Sequence, residues 1–343
     1  MLKKYIKKIS ENIDLSSEEM IEAMNIIMDG IASKEQVSAF LVAMKMKKES
    51  PIEIAAGAKV MINKATHLIS KDNNILDIVG TGGDCLNTFN ISTTSSFVLC
   101  GAGVKVAKHG NRGVSSKSGS ADTLEALGVN IILAPDKASY LLENVGITFL
   151  FAQVYHQSMA NVGPIRRELG IKTMFNILGP LSNPANISTY VIGAYNKEMA
   201  DTMIRVYKEL NVKNAIVVHG DCGMDEVSLT GPTYITEIKN NEILSYYIKP
   251  EDYGLDRCEL SELVGGDSQD NAQILLDILN GKPSAKADAV ILNSALALYA
   301  HKVVDSIQQG IAIAKESIES KSALNKFNLF KKLSNEEINY DIR

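Results

Sequence analysis

Four short segments hold the residues that could do chemistry. In Gly80-Thr81-Gly82-Gly83-Asp84, three glycines in five residues let the backbone turn tightly and bring its N–H groups against an anion with no Cβ in the way. The spacing is neither the GxGxxG dinucleotide pattern nor a Walker loop, because no Gly-Lys-Ser/Thr follows. Alone, the loop suits a phosphate and a plain strand-to-helix turn equally. A few residues on, Asn90-Ile91-Ser92-Thr93-Thr94-Ser95-Ser96 is a run of hydroxyls placed to open a helix, whose first N–H groups sit at the positive end of the dipole. By itself that run is a helix cap followed by serines. Beside the glycine loop, a phosphate cradle explains it better.

The third segment, Lys108 to Asp122, packs three cations, one histidine, four serines and three glycines into one stretch. It has no material for a core. Its composition suits either a solvated flexible loop or a lid that closes on a polyanion. His109 has no cysteine or histidine at metal spacing, which argues against zinc. The fourth is Asp225-Glu226, reached through His219-Gly220-Asp221-Cys222-Gly223-Met224. Adjacent carboxylates just beyond a strand can hold Mg²⁺, which takes one or two carboxylates together with substrate phosphate oxygens. An isolated Asp-Glu pair would be solvated surface; its place behind two phosphate-type loops raises it.

The elements that must position these residues follow from periodicity. Ser16 with Glu19, Ser33 with Gln36, and Ser50-Pro51-Ile52-Glu53 are helix starts. Each precedes apolar residues at helical spacing: Met20, Ala23, Met24 and Ile27, then Val37, Phe40, Leu41 and Met44. The methionines read as core. Lys3, Lys4, Lys7 and Lys8 alternate with Ile6, Ile9 and Ile13, as in an amphipathic surface helix. From residue 73 the texture changes to short β-rich runs separated by helices: strands over 75–79, 104–107, 129–133, 147–151, 190–194 and 215–218, with helices over 93–100, 122–127 and 197–210. This alternation predicts an α/β domain with a mostly parallel sheet flanked by helices. The runs 234–238 and 243–248, parted at Asn240-Asn241, predict an antiparallel hairpin added to it. Residues 271–333 are helical again. The expected organisation is a small all-helical N-terminal domain over 1–72, with a returning helical segment over 157–184, and an α/β domain over 73–343. The cleft between them is the favoured ligand site.

The chain has 343 residues, 45% of them apolar, and a formal net charge of -5. That balance argues against a nucleic-acid surface while allowing a local positive pocket. No apolar run approaches the roughly 20 residues of a membrane span, and the basic start lacks an apolar stretch of signal-peptide type. Cys85, Cys100, Cys222 and Cys258 are scattered without a CxxC spacing and read as reduced thiols of a cytoplasmic protein.

Gly80-Thr-Gly-Gly-Asp84, Asn90-Ile-Ser-Thr93, Lys108-His-Gly-Asn-Arg112 with Ser118-Gly-Ser-Ala-Asp122, Arg166-Arg-Glu-Leu-Gly170, Phe175-Asn-Ile-Leu-Gly-Pro-Leu-Ser-Asn-Pro184 and Asp225-Glu226 together resemble the signature loops of the anthranilate phosphoribosyltransferase family. They occur in the family's order and cover residues 20–335. The glycine loop is shared with pyrimidine nucleoside phosphorylases of the same fold; the later elements are the more specific. Gln157 departs from the pattern, since proline is common after the histidine at 156.

The resemblance implies transfer of the 5-phosphoribosyl group from phosphoribosyl pyrophosphate to the amine of anthranilate, the second step of tryptophan biosynthesis from chorismate, with Mg²⁺ as cofactor. It implies that Gly80, Gly82, Gly83, Asp84, Thr88, Asn90, Ser92, Thr93, Lys108, Asn111, Arg112, Gly113, Ser115, Ser116 and Ser120 hold phosphoribosyl pyrophosphate. Ser92, Asp225 and Glu226 would ligate Mg²⁺. Gly80, Asn111, His156 and Arg166 would meet anthranilate, and Lys108, His109, Asn111 and Arg166 would be the catalytic set. A guanidinium is a sensible bidentate partner for the anthranilate carboxylate; the residues alone do not choose between Arg166 and Arg167, and the resemblance favours Arg166. It also implies a homodimer formed through the helical domain. The competing readings are a pyrimidine nucleoside phosphorylase, which would lack the Phe175–Pro184 element, and a non-enzymatic nucleic-acid-binding relative, against which the charge and the Asp225-Glu226 pair speak.

Overall fold

The computed structural model describes residues 2–113 and 116–337. Four helices come first: α1 (Lys3–Ser10), α2 (Ser17–Met28), α3 (Lys34–Lys47) and α4 (Pro51–Lys64). The starts of α2, α3 and α4 are the ones the sequence marks. The Ser16 hydroxyl accepts the Glu19 N–H and the Glu19 carboxylate accepts the Ser16 N–H; Ser50 and Glu53 repeat the exchange at α4. Glu53 is fully buried and also accepts the Leu15 N–H and the Lys47 ammonium, so one carboxylate joins α3, α4 and the loop before α2.

The α/β part alternates β1 (Ile75–Gly80), α5 (Ile91–Gly101), β2 (Lys105–Gly110), α6 (Ser120–Ala126), α7 (Pro135–Asn144), β3 (Ile147–Phe151) and α8 (Ala152–Tyr155). Next come α9 (Gly163–Leu169), α10 (Met174–Leu178), β4 (Thr189–Gly193), α11 (Lys197–Glu209), β5 (Asn214–Gly220), β6 (Thr233–Lys239) and β7 (Glu242–Ile248). Helices α12 (Ser268–Leu279), α13 (Ala285–Ala300), α14 (Ile307–Glu319) and α15 (Ser322–Asn335) complete it. The sheet order is β3-β2-β1-β4-β5-β6-β7, parallel through β5, with β6 and β7 antiparallel. The β6–β7 turn places Asn240 and Asn241 at φ 53° and 64°, the pair of positive φ values that a two-residue hairpin turn demands. Alternate residues of the central strands feed two cores. Val191, Ile216 and Val218 join α5 and α13, whereas Tyr190, Ile192 and Val217 join α11 and the N-terminal helices. In that second core α9 and α10 pack against α3 and α4.

One expected strand is absent. Over 129–133 the burial alternates as a strand's would, with Val129, Ile131 and Leu133 inside and Ile132 exposed. The segment has no strand neighbour, so it runs extended into α7, a helix the sequence reading did not anticipate. No described helix is long and apolar enough to cross a membrane.

Candidate active site

Chain direction reverses between β1 and β4: β1 connects outward to β2 on one side, and the chain returns after β3 to add β4 on the other. Such a switch point opens a crevice at the carboxyl ends of the strands, where ligands of open α/β sheets bind. The glycine loop leaves β1 at this point. Gly82 and Gly83 have φ of +67° and +80°, a region non-glycine residues rarely adopt. Thr81 N–H donates to the Gly193 carbonyl (2.9 Å), tying the loop to the end of β4.

Asp225 and Glu226 reach the same place from the loop after β5, although Asp225 lies 143 residues from its partner Gly82. The Gly82 N–H donates to Asp225 Oδ2 at 2.6 Å, and the Ser92 N–H, in the first turn of α5, donates to Glu226 Oε1 at 3.2 Å. Both carboxylates are buried. Burial pushes the Asp225 carboxyl up, reinforced by the negative Asp84 beside it; burial and then Asp225 push Glu226 up. Asp84 faces Asp225 like charge to like, and its Oδ2 has no donor. Two buried carboxylates and a third short of donors form a cluster that a divalent cation would relieve. Among the described residues no three His, Cys, Asp or Glu side chains form a ready-made metal cage.

Lys108 is the buried cation of the site. Its Nζ donates to the Ile78 carbonyl (2.6 Å) and to Ser92 Oγ (3.2 Å). Burial lowers its affinity for the proton, and Asp77, Glu226 and Asp225 oppose that. Along the hydroxyl run, Thr94 and Ser96 return their hydroxyls to the carbonyls of Asn90 and Ser92. Thr93 Oγ1 and Ser95 Oγ are buried without partners, as is Thr81 Oγ1 in the glycine loop. Buried hydroxyls without partners at a helix start are what an oxyanion site would use.

The remaining expected residues divide. Asn90 anchors the Lys108–Asp122 stretch, accepting the Thr123 hydroxyl and donating to the Ser118 carbonyl (3.3 Å). Thr88 bridges to Val264. The Asn111 carbonyl takes the Ser120 hydroxyl (3.3 Å), and Ser116 donates to the Ser118 carbonyl (3.2 Å). Arg112 is exposed and committed to Asp122 and Glu125 (Nη2–Oε1 2.9 Å), and the Gly113 N–H is held by Asp122 (2.8 Å). Arg112 therefore sits in a surface ion-pair cluster with these two carboxylates. Ser115 lies outside the described residues.

The His109 and His156 rings lie against each other tilted by 53°, with centroids 5.1 Å apart. Burial pushes His109 down to about 3 and His156 to about 4, so both rings are neutral near pH 7. His109 Nε2 and both nitrogens of His156 lack a partner; the backbone of Gly179 and Ser182 biases them upward without reaching hydrogen-bond geometry. Arg166 and Arg167 are now distinct. Arg166 is half-buried, lies 5.5 Å over the Phe175 ring, and has only a long contact to Asn176 Oδ1 (3.5 Å). No carboxylate pairs with it among the described residues. Arg167 is exposed.

Sequence reasoning missed Gly193. A Cβ there would lie 1.4 Å from the Asp225 carbonyl oxygen, and one at Gly80 would lie 2.3 Å from Asp225 Oδ2. Asp225 is therefore seated in a slot made by two glycines at the ends of adjacent strands, which are register partners. The available signal was position: Gly193 ends its strand as Gly80 ends β1. Asp77 and Asn183, buried behind the site, were also missed.

A helical bundle followed by a parallel α/β domain with an anion loop and buried carboxylates at the switch point defines a glycosyltransferase class. Residues 3–65 match the helical bundle domain of a glycosyl transferase family and residues 72–324 its a/b domain. The chain belongs to the anthranilate phosphoribosyltransferase family. It is 50% identical to the anthranilate phosphoribosyltransferase of Persephonella marina over 94% of this chain and 96% of that one, and 48% identical to that of Acetivibrio thermocellus over 99% of each. Among solved structures, the Thermus thermophilus enzyme superposes with a TM-score of 0.92 at 38% identity, covering 96% of this chain and 99% of that one. The Saccharomyces cerevisiae enzyme, solved in complex with PRPP and Mg, gives 0.91 at 31% identity with 97% of each chain covered. These relatives do not favour the phosphorylase or the nucleic-acid-binding alternative.

Proposed function

We propose that this protein is a Mg²⁺-dependent anthranilate phosphoribosyltransferase, moving the 5-phosphoribosyl group from phosphoribosyl pyrophosphate to the amine of anthranilate and releasing pyrophosphate. The observation that carries the reading is the meeting of buried Asp225 and Glu226 with the glycine loop, the Ser92 N–H and Lys108 at one strand-end crevice.

In this reading the backbone of Gly80, Gly82 and Gly83, with Asp84, Thr88, Asn90, Ser92 and the free Thr93 hydroxyl, holds the phosphorylated sugar. Asn111, Gly113, Ser116 and Ser120 close over it, with Ser115 as a further candidate ligand; Arg112 joins them only by leaving Asp122 and Glu125. Asp225, Glu226 and Ser92 hold Mg²⁺, which when bound supplies positive charge to the departing pyrophosphate. Lys108 adds a preorganised cation in a dry site, where such stabilisation is strongest. Arg166 grips the anthranilate carboxylate beside Phe175, orienting the amine toward C1 together with Asn111 and Gly80. An aromatic amine is largely neutral at pH 7 and needs no strong base; the neutral rings of His109 and His156 suit a polar contact to it. Closing the cleft between the 1–72 and 73–343 domains excludes the water that would hydrolyse the activated sugar.

Two further parts of this reading are a homodimer and a cytoplasmic setting. Exposed Ile13, Ile31 and Met46 in the helical domain support the first, and four unpaired cysteines the second. Sedimentation at micromolar concentration tests the dimer. Activity is tested by mixing protein, anthranilate, phosphoribosyl pyrophosphate and Mg²⁺ and following the loss of anthranilate fluorescence. Folded protein at micromolar concentration that leaves the fluorescence unchanged refutes the assignment.

A further inference from the structure

Strands β1 and β2 stay neighbours along their length but form a registered ladder only at their beginnings. Their register is Ile75↔Lys105 and Leu76↔Val106 and goes no further, although β1 continues to Gly80 and β2 to Gly110. On its other edge β2 stays paired with β3 as far as Gly110↔Phe151, and β1 stays paired with β4 as far as Gly80↔Gly193. The backbone ladder therefore lapses between β1 and β2 alone, below the point where the glycine loop and the Lys108 segment emerge.

Opening a parallel ladder inside a core strands backbone groups, and a buried backbone group left bare is costly. Val106 N–H turns toward β3, donating to the Gly146 carbonyl, so by alternation the groups of Ala107 and His109 face β1. Ile75 gives its carbonyl to Ser188 on the β4 side, so Ile78 faces β2 by the same alternation. Beyond that register three facing groups meet side chains. His109 N–H donates to Asp77 Oδ1 (3.3 Å), the Ala107 carbonyl accepts from Asn183 Nδ2 (2.8 Å), and the Ile78 carbonyl accepts from Lys108 Nζ (2.6 Å). Asn183 Nδ2 also donates to Asp77 Oδ2 (2.8 Å), while Asn183 Oδ1 accepts the Ala185 N–H (2.9 Å), which fixes which way the amide points. Asp77 and Asn183 are both essentially inaccessible to solvent.

We propose that Asp77 and Asn183 are positioning residues: a side-chain splice that replaces the ladder where β1 and β2 part, holding Lys108 and His109 at the substrate crevice without touching substrate. Asp77 is also the largest of the negative neighbours that offset the burial of Lys108, ahead of Glu226 and Asp225. The proposal rests on the reading of Lys108 and His109 as site residues.

The test uses Asp77→Asn, which keeps the shape but sets an amide NH₂ against one of two donors, the His109 N–H or Asn183 Nδ2, and Asn183→Ala, which removes both amide donors. Hydrogen exchange of the peptide over 105–113 reads the splice directly and does not depend on turnover. Absence of phosphoribosyl transfer by the unaltered protein is thus separable from failure of the splice. In both variants the His109 amide should exchange at least about 10-fold faster while β4–β5 stays protected. The kcat should fall on the order of 10- to 100-fold, as for a misplacement of about 1 Å, with KM for anthranilate within about threefold. The double variant should lose little more than the worse single one, because both changes break one unit. Unchanged exchange, or losses that simply multiply, would overturn the proposal. So would failure of both variants to fold, which would make the pair a determinant of the whole sheet.

Discussion

Replacing Gly193 by alanine adds one methyl group at the end of β4 and should disable the carboxylate site. The added Cβ would lie 1.4 Å from the Asp225 carbonyl oxygen, 2.3 Å from its carbonyl carbon and 3.1 Å from its Cα. Since real contacts of this kind essentially never fall below 3.0 Å, the Asp225 backbone must retreat by about 1.6 Å. It cannot do so freely. Its carboxylate is tied to the Gly82 N–H, and the next residue, Glu226, to the Ser92 N–H. Overpacking of this sort costs about 1–3 kcal/mol of stability, which leaves the fold in place. A displacement of 1 Å or more at a group that orients a reacting centre costs on the order of 100-fold in rate. The assay is anthranilate fluorescence with Mg²⁺ titrated at saturating substrates. It is paired with calorimetric titration of Mg²⁺ into the protein with phosphoribosyl pyrophosphate, so that ion binding is read apart from turnover. Gly231→Ala is the control, since a Cβ there meets nothing within 4 Å. Expected are a large rise in the Mg²⁺ concentration for half-maximal rate and a loss of heat on titration, with Gly231→Ala unaffected. A Gly193→Ala variant with unaltered Mg²⁺ dependence and kcat within about threefold would refute the idea that the glycine slot seats Asp225.

Combining Asp225→Asn with Glu226→Gln should cut kcat/KM by about 100-fold or more without lowering the Tm of the ligand-free protein. Burial already makes ionisation of both carboxyls unfavourable there, so neutral amides relieve strain; a lower Tm would contradict this. The two arginines should separate cleanly: Arg166→Lys raises KM for anthranilate at least about 10-fold, since one ammonium cannot bind a carboxylate bidentately, whereas Arg167→Ala leaves steady-state kinetics within about twofold. His109 and His156 predict the acid side of the stability curve. Their folded values of about 3 and about 4 lie below the ~6.5 of an unfolded imidazole. Between these limits the unfolded chain binds protons that the folded chain refuses, so stability is full above ~6.5 and falls as pH drops toward 4. Melting curves of wild type and His156→Phe from pH 8 to 4.5 check this: the variant should show the shallower decline, and parallel curves would count against buried neutral rings.

The N-terminal helix starts, the hairpin at Asn240-Asn241 and the glycine loop after β1 were legible in the chain because their free energy comes from residues a few positions apart. A serine and a glutamate three residues on satisfy each other's N–H groups whatever the rest of the molecule does, and positive φ favours asparagine or glycine locally. The motifs of the site were legible for the same reason, each being a run of residue types suited to anions at a strand end. Burial and pairing were not. Val129 to Leu133 alternates as a strand should, yet no strand lies beside it. Arg166 and Arg167 differ only in which one folds over Phe175. Arg112 looks like a phosphate ligand until Asp122 and Glu125 are seen to occupy it. Asp77 meets Asn183 across 106 residues and Gly82 meets Asp225 across 143. Contacts of that span carry no local propensity, and only the packed sheet, with β1 set between β2 and β4, brings their partners within reach.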